Sequence, residues 1–291
     1  MAPSVVMITG CSTGIGRATA VHLAKKCNGD FKVYATVVDL SETADLETAA
    51  GDSLNKTLFI RELDVTKEAT ISAAVDEILR ENGRIDVLFN NAGISQFDDH
   101  FLQQDVDDDD DDFAKPRAMM NINFWGAVRV MKAVLPTMKK QKSGRILNMS
   151  SLTGVIGSPF LSLYSASKFA LEGFSESSAL VLRKAYNIRV SLLEPGCVET
   201  APLINVASSP LSVSGAWDDV TQEMFQGFIT TIENSIKQEP EEIARLVEEI
   251  IRSDNPHLRY QSDDLVKGYV ELKVVDSTGD SIFEADTGMF K

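Results

Sequence analysis

Short runs of apolar and β-branched residues alternate along this chain with longer stretches in which apolar positions return every third or fourth residue. The short runs read as buried strands near 4–9, 32–37, 57–62, 86–90, 144–149 and 188–194, with a last one near 258–261. The longer stretches predict helices near 15–27, 67–82, 113–140, 161–186 and 240–253. A strand that is apolar on both faces belongs inside a parallel sheet, and a helix between successive strands supplies the cover. The pattern therefore predicts an α/β fold, a doubly wound parallel sheet in a single domain spanning 1–291. No internal repeat interrupts it.

Two segments depart from the alternation. Residues 201–236 open with Pro202, Pro210, Gly215 and several serines, then turn amphipathic around Trp217, Met224, Phe225, Phe228 and Ile229. A connection this long inside a compact domain points to a functional lid, and its Phe and Met content suits a flat lipophilic ligand. The second segment, 105–112, includes six consecutive aspartates. Like charges at that density repel and stay solvated. The run lacks the glycine and the alternation of a calcium loop, so no metal site is expected from it.

The candidate chemistry starts where the first strand ends. Gly10-Cys11-Ser12-Thr13-Gly14-Ile15-Gly16 follows the apolar run directly and precedes a helical stretch. Glycines there let the backbone approach a pyrophosphate, and the following helix aims its free N–H groups and positive dipole end at that anion. Asp64-Val65 closes the third strand, placed to meet an adenine edge, and Asn91-Ala92-Gly93 follows the fourth, where small residues admit a cofactor. The end of the second strand, where an acid selects the free ribose of NAD(H) and an Arg the 2′-phosphate of NADP(H), offers Val37, Val38 and Asp39. The cofactor is expected to be NADP(H) or NAD(H). Further on, Tyr164 and Lys168 stand four residues apart, and Ser151 lies thirteen before Tyr164. On a helix that i,i+4 pair shares a face, so the ammonium would favour the ionised phenol and tune it for proton transfer.

With these pieces in order, the chain resembles the short-chain dehydrogenase/reductase family, through Thr9 to Gly16, Asn90 to Gly93, Asn123, Ser151, Tyr164 with Lys168, and Pro195 to Thr200. Within it, the likeness is to the branch containing 17β-hydroxysteroid dehydrogenase type 1 and photoreceptor-type retinol dehydrogenase, carried also by Phe31 to Thr36, Ser165 to Gly173 and Pro240-Glu241-Glu242. The resemblance implies a Rossmann-type fold with a helical substrate lid, the 105–112 run being an insertion. It implies four catalytic residues, Asn123, Ser151, Tyr164 and Lys168. Tyr164 would act as general acid or base, and Lys168 would tune it and bind the nicotinamide ribose. Ser151 would hold the substrate oxygen, and Asn123 would hold a water linking Lys168 to solvent. Pro195, Gly196, Val198 and Thr200 would close over the nicotinamide. It also implies a homodimer built on the helices near 113–140 and 161–186. Two departures bear on specificity: Val38 stands where NADP-preferring members carry Arg, and the stretch Trp217 to Phe228 has no His to anchor a steroid's far end. A retinoid is favoured on that ground.

Charge and cysteine content narrow the setting. The net charge of −15 argues against nucleic acid and acidic membrane surfaces as partners. No stretch approaches the roughly 18 apolar residues of a membrane span. The first strand begins almost at once, leaving no secretory signal, and the three scattered cysteines suit a reducing, cytoplasmic setting. The expected function is an NAD(P)(H)-dependent oxidoreductase interconverting a hydroxyl and a carbonyl on a lipophilic small molecule. The alternative from another class is a non-catalytic nucleotide-binding sensor or scaffold. Its mark would be a broken Ser, Tyr or Lys, and none is broken.

Overall fold

A computed structural model describes residues 2–27, 29–97, 114–200, 217–235 and 238–278. The acidic run at 105–112 and the opening of the expected lid, 201–216, lie outside the described residues. The strands are β1 (Ser4–Ile8), β2 (Phe31–Val37), β3 (Leu58–Glu62), β4 (Val87–Asn90), β5 (Gly144–Met149), β6 (Ile188–Glu194) and β7 (Arg259–Gln261). They form one sheet in the order β3-β2-β1-β4-β5-β6-β7, and every neighbouring pair is parallel.

The helices are α1 (Gly14–Lys26), α2 (Ala44–Ala50), α3 (Glu68–Asn82), α4 (Ala114–Met120), α5 (Ala127–Gln141), α6 (Ser162–Tyr186), α7 (Asp219–Asn234), α8 (Pro240–Arg252) and α9 (Asp264–Val275). A π-helical stretch, Asn121–Gly126, joins α4 to α5. Helix α6 ends at Asn187, which takes the left-handed conformation at φ 55°, with Arg183 and Lys184 in its last turn. That closes orphan carbonyls and complements the negative dipole end. Helix α8 starts on a capping box between Glu239 and Glu242 with Pro240 in its first turn. Among the described residues, no helix is long and apolar enough to cross a membrane.

Strand alternation feeds two cores. In β1, Val6 and Ile8 face a layer shared with Leu23 of α1 and Val247 of α8. Val5 and Met7 face the other way, onto a layer with Ile78 of α3 and Val134 of α5. Both faces of the sheet are covered, which is why the strands read as unbroken apolar runs. Burying each large aliphatic side chain contributes about 1.5–3 kcal/mol. The strand order reverses between β1 and β4, so a crevice opens beyond their carboxyl ends, where open α/β sheets bind ligands.

Candidate active site

The loop after β1 is shaped by backbone crowding. Gly10 has φ +71°, and a Cβ there would stand 2.8 Å from Ala92 Cα. The two segments are also tied by hydrogen bonds: Asn91 Nδ2 donates to the carbonyls of Thr9 and Gly10, each at 2.9 Å, while Thr9 Oγ1 accepts from the N–H groups of Asn91 and Ala92, each at 3.0 Å. Asn91 therefore braces the glycine loop. Thr9, its partner, was a motif residue in the sequence without a role of its own.

The amino end of α1 is open. Thr13 makes no side-chain cap, and the first turn holds no acidic residue. An anion can meet that end without displacing a protein ligand. Thr200 sits over it, since a Cβ on Gly14 would lie 3.2 Å from Thr200 Cγ2. A pyrophosphate and the nicotinamide beyond it fit this cradle. Cys11, within the same loop, is buried and donates to Ile8 O at 3.4 Å. Burial pushes its thiol up to about 12, with the Thr36 backbone pulling the other way, so it stays a small protonated side chain. Asp64 is engaged locally: burial pushes its carboxyl up, but bonds from Thr66 and the nearby Lys67 outweigh this and hold it below the usual range. Val65, beside it, is buried against Gly126.

A cavity of about 980 Å³ opens from this loop toward α7 and α9. Ile15, Ser151, Tyr164, Pro195, Gly196, Val198 and Thr200 of the expected site residues line it. The other expected site residues, Asn123 and Lys168 included, are not part of its lining. Ser151 follows β5 directly, and Tyr164 projects from the first turn of α6. Both hydroxyls face the same cavity, and Ser151 draws the Tyr164 phenol downward. Ser151 Oγ accepts from Thr153 N at 3.2 Å.

Lys168 is buried one turn behind Tyr164, its Nζ 5.5 Å from the phenol ring centre and donating to Met149 O at 2.9 Å. Here the structure differs from the sequence-based expectation. Burial pushes the Tyr164 phenol up to about 12, with Ser151 pulling the other way, and Lys168 is not what moves it. The ammonium is aimed at a carbonyl instead of the phenol oxygen. Lys168 is itself pushed down to about 8 by burial, with the Glu172 charge pulling the other way.

Asn123 is buried in the π-helical stretch. Its Oδ1 accepts from Ile94 N at 2.8 Å, and its Nδ2 donates to Ile94 O at 2.9 Å and Ser167 Oγ at 3.0 Å. A Cβ on Gly93 would lie 3.3 Å from Asn123 Oδ1 and 3.6 Å from Lys168 Nζ, which puts Gly93 beside both. The wider turn of a π-helix is what lets this side chain reach the β4 loop.

Above the cavity, α7 supplies part of an aromatic cover. Trp217, Phe225 and Ile229 form a small core with Phe97 and Phe160. Phe97 meets Phe225 and Phe228 edge-on at 5.6 and 5.7 Å between ring centres. Phe97 and Phe160 come from other parts of the chain, and no periodicity in the sequence pointed to them.

Known proteins resemble this chain in sequence and fold. A family model described as short chain dehydrogenase matches residues 4–210. Retinol dehydrogenase 8 of Bos taurus is 35% identical over 286 residues, covering 96% of this chain and 87% of that protein. A 17-beta-hydroxysteroid dehydrogenase type 1 of Mus musculus is 36% identical over 292 residues, covering 98% of this chain and 81% of that protein. Among solved structures, ElxO with NADP bound superposes with a TM-score of 0.70 at 25% identity, covering 90% of this chain and 99% of that one.

Proposed function

This chain belongs to the short-chain dehydrogenase family and is an oxidoreductase of CH–OH groups with NAD(P)(H) as cofactor; we propose that it interconverts a hydroxyl and a carbonyl on a lipophilic substrate, retinol/retinal or a 17β-hydroxy/17-keto steroid. The observation that carries this reading is that Ser151 and Tyr164 stand together on the wall of a large cavity lined also by Phe228 and Phe97. Ligand pockets of this kind hold a few placed polar groups in an apolar lining. The matched relatives act, by their names, on retinol and on 17-beta-hydroxysteroids, which supports the same substrate class here.

The roles follow from position. The bound nicotinamide supplies or accepts the hydride. Tyr164, a protonated phenol as it stands, gives its proton to the carbonyl oxygen in reduction and takes one back in oxidation. Ser151 donates to that same oxygen as charge develops on it. Lys168 holds a positive charge close behind the phenol, and Asn123 fixes the Ile94 backbone beside it. Gly10, Ser12, Thr13, Gly14, Ile15 and Gly16 would cradle the pyrophosphate. Asp64 and Val65 would border the adenine, Asn91 to Gly93 the ribose, and Pro195, Gly196, Val198 and Thr200 the nicotinamide. Helix α7 serves as the lid of a one-domain enzyme.

The same reading includes a homodimer and a cytoplasmic setting. Exposed Leu180 and Val181 on α6, at 64% and 62%, with Trp125 near the start of α5, support a second copy packing there. Three unpaired cysteines fit a reducing compartment. The test is a spectrophotometric assay of nicotinamide absorbance, with NADH and NADPH each offered against all-trans-retinal, estrone and simple quinones. Turnover of a retinoid or steroid supports the proposal. Nucleotide binding with no turnover of any carbonyl would favour a sensor or scaffold instead.

A further inference from the structure

One turn beyond Lys168 on α6, outside the cavity lining, lies a group of ionisable side chains that the reaction described above does not use. Glu172 follows Lys168 by one turn of α6 and is buried. Glu194 ends β6 and is fully buried. Arg259, in β7, reaches both: its Nε lies 3.1 Å from Glu172 Oε2 and 3.3 Å from Glu194 Oε1, while its Nη2 lies 2.6 Å from Glu176 Oε2. Gln261 Nε2 donates to the other Glu194 oxygen at 2.6 Å.

Charges in this group do not balance. Three carboxyls face one guanidinium. Oε1 of Glu172 and Oε1 of Glu194 lack an ordinary hydrogen-bond donor, as does Ser150 Oγ a partner of its own. A buried carboxylate left this way is costly, and keeping a proton relieves it. Glu172 and Glu194 share one nitrogen, Arg259 Nε, so that single donor is divided between two carboxyls. Burial pushes the Glu172 carboxyl up to about 7 and the nearby Glu194 adds to this, while Ser150 and Arg259 pull it down. Burial also raises Glu194, against Gln261, Arg259 and Glu172.

The group is coupled to the active site through packing. Residues four apart share a helix face, so Glu172 and Lys168 are neighbours. Their stems meet at Gly154, where an added Cβ would stand 3.2 Å from Lys168 Cβ and 3.3 Å from Glu172 Cγ. Ser150, which follows β5 and precedes Ser151, joins them there: its Oγ would also meet a Cβ on Gly154, and it lines the cavity beside Ser151.

We propose that Glu172, held by Glu194 and Arg259, is a positioning residue that sets the charge of Lys168 from one turn further along α6. The groups facing Glu172 are Lys168 and Glu176 from α6, Ser150 after β5, Glu194 from β6 and Arg259 from β7. When Glu172 gives up its proton, its carboxylate steadies the Lys168 ammonium. When it keeps the proton, Lys168 has no negative neighbour and loses its own more readily. The inference rests on the oxidoreductase reading for its activity readout, but Lys168 also titrates without turnover.

The test pairs two measurements on the whole protein. NMR of lysine labelled with ¹³C at Cε reads the Lys168 titration directly, and kcat/KM against pH reads its effect. Glu172→Gln keeps the shape, removes the charge, and is expected to move the Lys168 midpoint down by about one pH unit, the size of shift a close opposite charge gives. The alkaline limb of kcat/KM moves by the same amount, and Glu172→Asp restores part of it. A Lys168 midpoint unchanged in Glu172→Gln overturns the inference, even if turnover falls, because a packing role alone would not move it. Should the Gln variant fail to fold, Arg259→Gln makes the same test: without the guanidinium, Glu172 keeps its proton to higher pH and the Lys168 midpoint again falls. If the wild type reduces no carbonyl at all, the functional reading fails, and the NMR titration still decides this one.

Discussion

Asn123 closes a two-point bridge on the backbone of Ile94, accepting from its N–H at 2.8 Å and donating to its carbonyl at 2.9 Å. A third bond reaches Ser167, whose own hydroxyl donates to Tyr164 O at 2.7 Å. One amide thus ties the loop after β4 to the helix carrying Tyr164 and Lys168. Asn123→Ala removes all three bonds and leaves polar groups unpaired, so a loss of about 1–3 kcal/mol is expected in urea unfolding. Turnover should fall about tenfold or more as Lys168 and Gly93 lose their common neighbour. Full activity in a destabilised Asn123→Ala would show that the bridge is structural only.

Tyr164→Phe deletes one oxygen from the cavity wall it shares with Ser151. Nucleotide binding, measured by calorimetry, should stay nearly unchanged, because the glycine loop and α1 are untouched. Turnover should fall by about 10²–10⁴, the usual contribution of a placed general acid. Substantial residual activity would move the proton donor elsewhere. The assignment has a directional consequence too. A phenol pushed up to about 12 stays protonated through neutral and mildly alkaline pH, so the acid form that carbonyl reduction needs should persist where the phenolate that alcohol oxidation needs is scarce.

The elements that position these residues were legible in the sequence because each rests on a local signal. All seven strands fall within about a residue or two of the apolar runs, the usual boundary scatter. The Gly10–Gly16 turn and the Tyr164–Lys168 spacing sit on a strand end and a helix as expected. Helices α2 and α9 were missed for opposite reasons. The first is a seven-residue segment with little apolar stripe, and the second leaves Leu265, Val274 and Val275 exposed. The π-helical stretch carries no period to read. Glu172, Glu194 and Arg259 come from three distant segments, and only the sheet order brings them together. The orientation of Lys168 toward Met149 was likewise invisible, since a spacing fixes a face and not a hydrogen bond.

Helices α1 and α8 are clasped by His22, Glu248, Arg252 and Asp30. His22 Nε2 lies 2.6 Å from Glu248 Oε2, and Arg252 bridges Glu248 and Asp30 at 2.7 Å each. Burial pushes the Glu248 carboxyl up, but Arg252 and His22 outweigh it and bring it down to about 2. A carboxyl depressed in the folded state adds stability above its unfolded value and loses it as pH falls toward the folded one. Glu248→Gln should therefore cost about 1–2 kcal/mol at neutral pH, discounted for partial exposure, and progressively less below about pH 4. Urea unfolding across that range checks it; an equal loss at both ends would make the clasp a packing contact.

The end of β2 is where we expect cofactor preference to be set. Val38 is 61% exposed there, and the neighbouring Asp39 carboxylate accepts from Ser41 N at 2.7 Å, held below its ordinary range by that bond. Arg17, the nearest candidate cation on α1, is paired with Asp45 at 3.3 Å. An acid without a competing guanidinium suits free ribose hydroxyls better than a phosphate. Val38→Arg places a forked cation at this edge with no burial cost, since the side chain it replaces already faces solvent. The ratio of kcat/KM for NADPH over NADH should rise about tenfold, the effect of roughly 1.4 kcal/mol from one new charge-assisted contact. An unchanged ratio would mean that the adenosine ribose is read by residues other than those following β2.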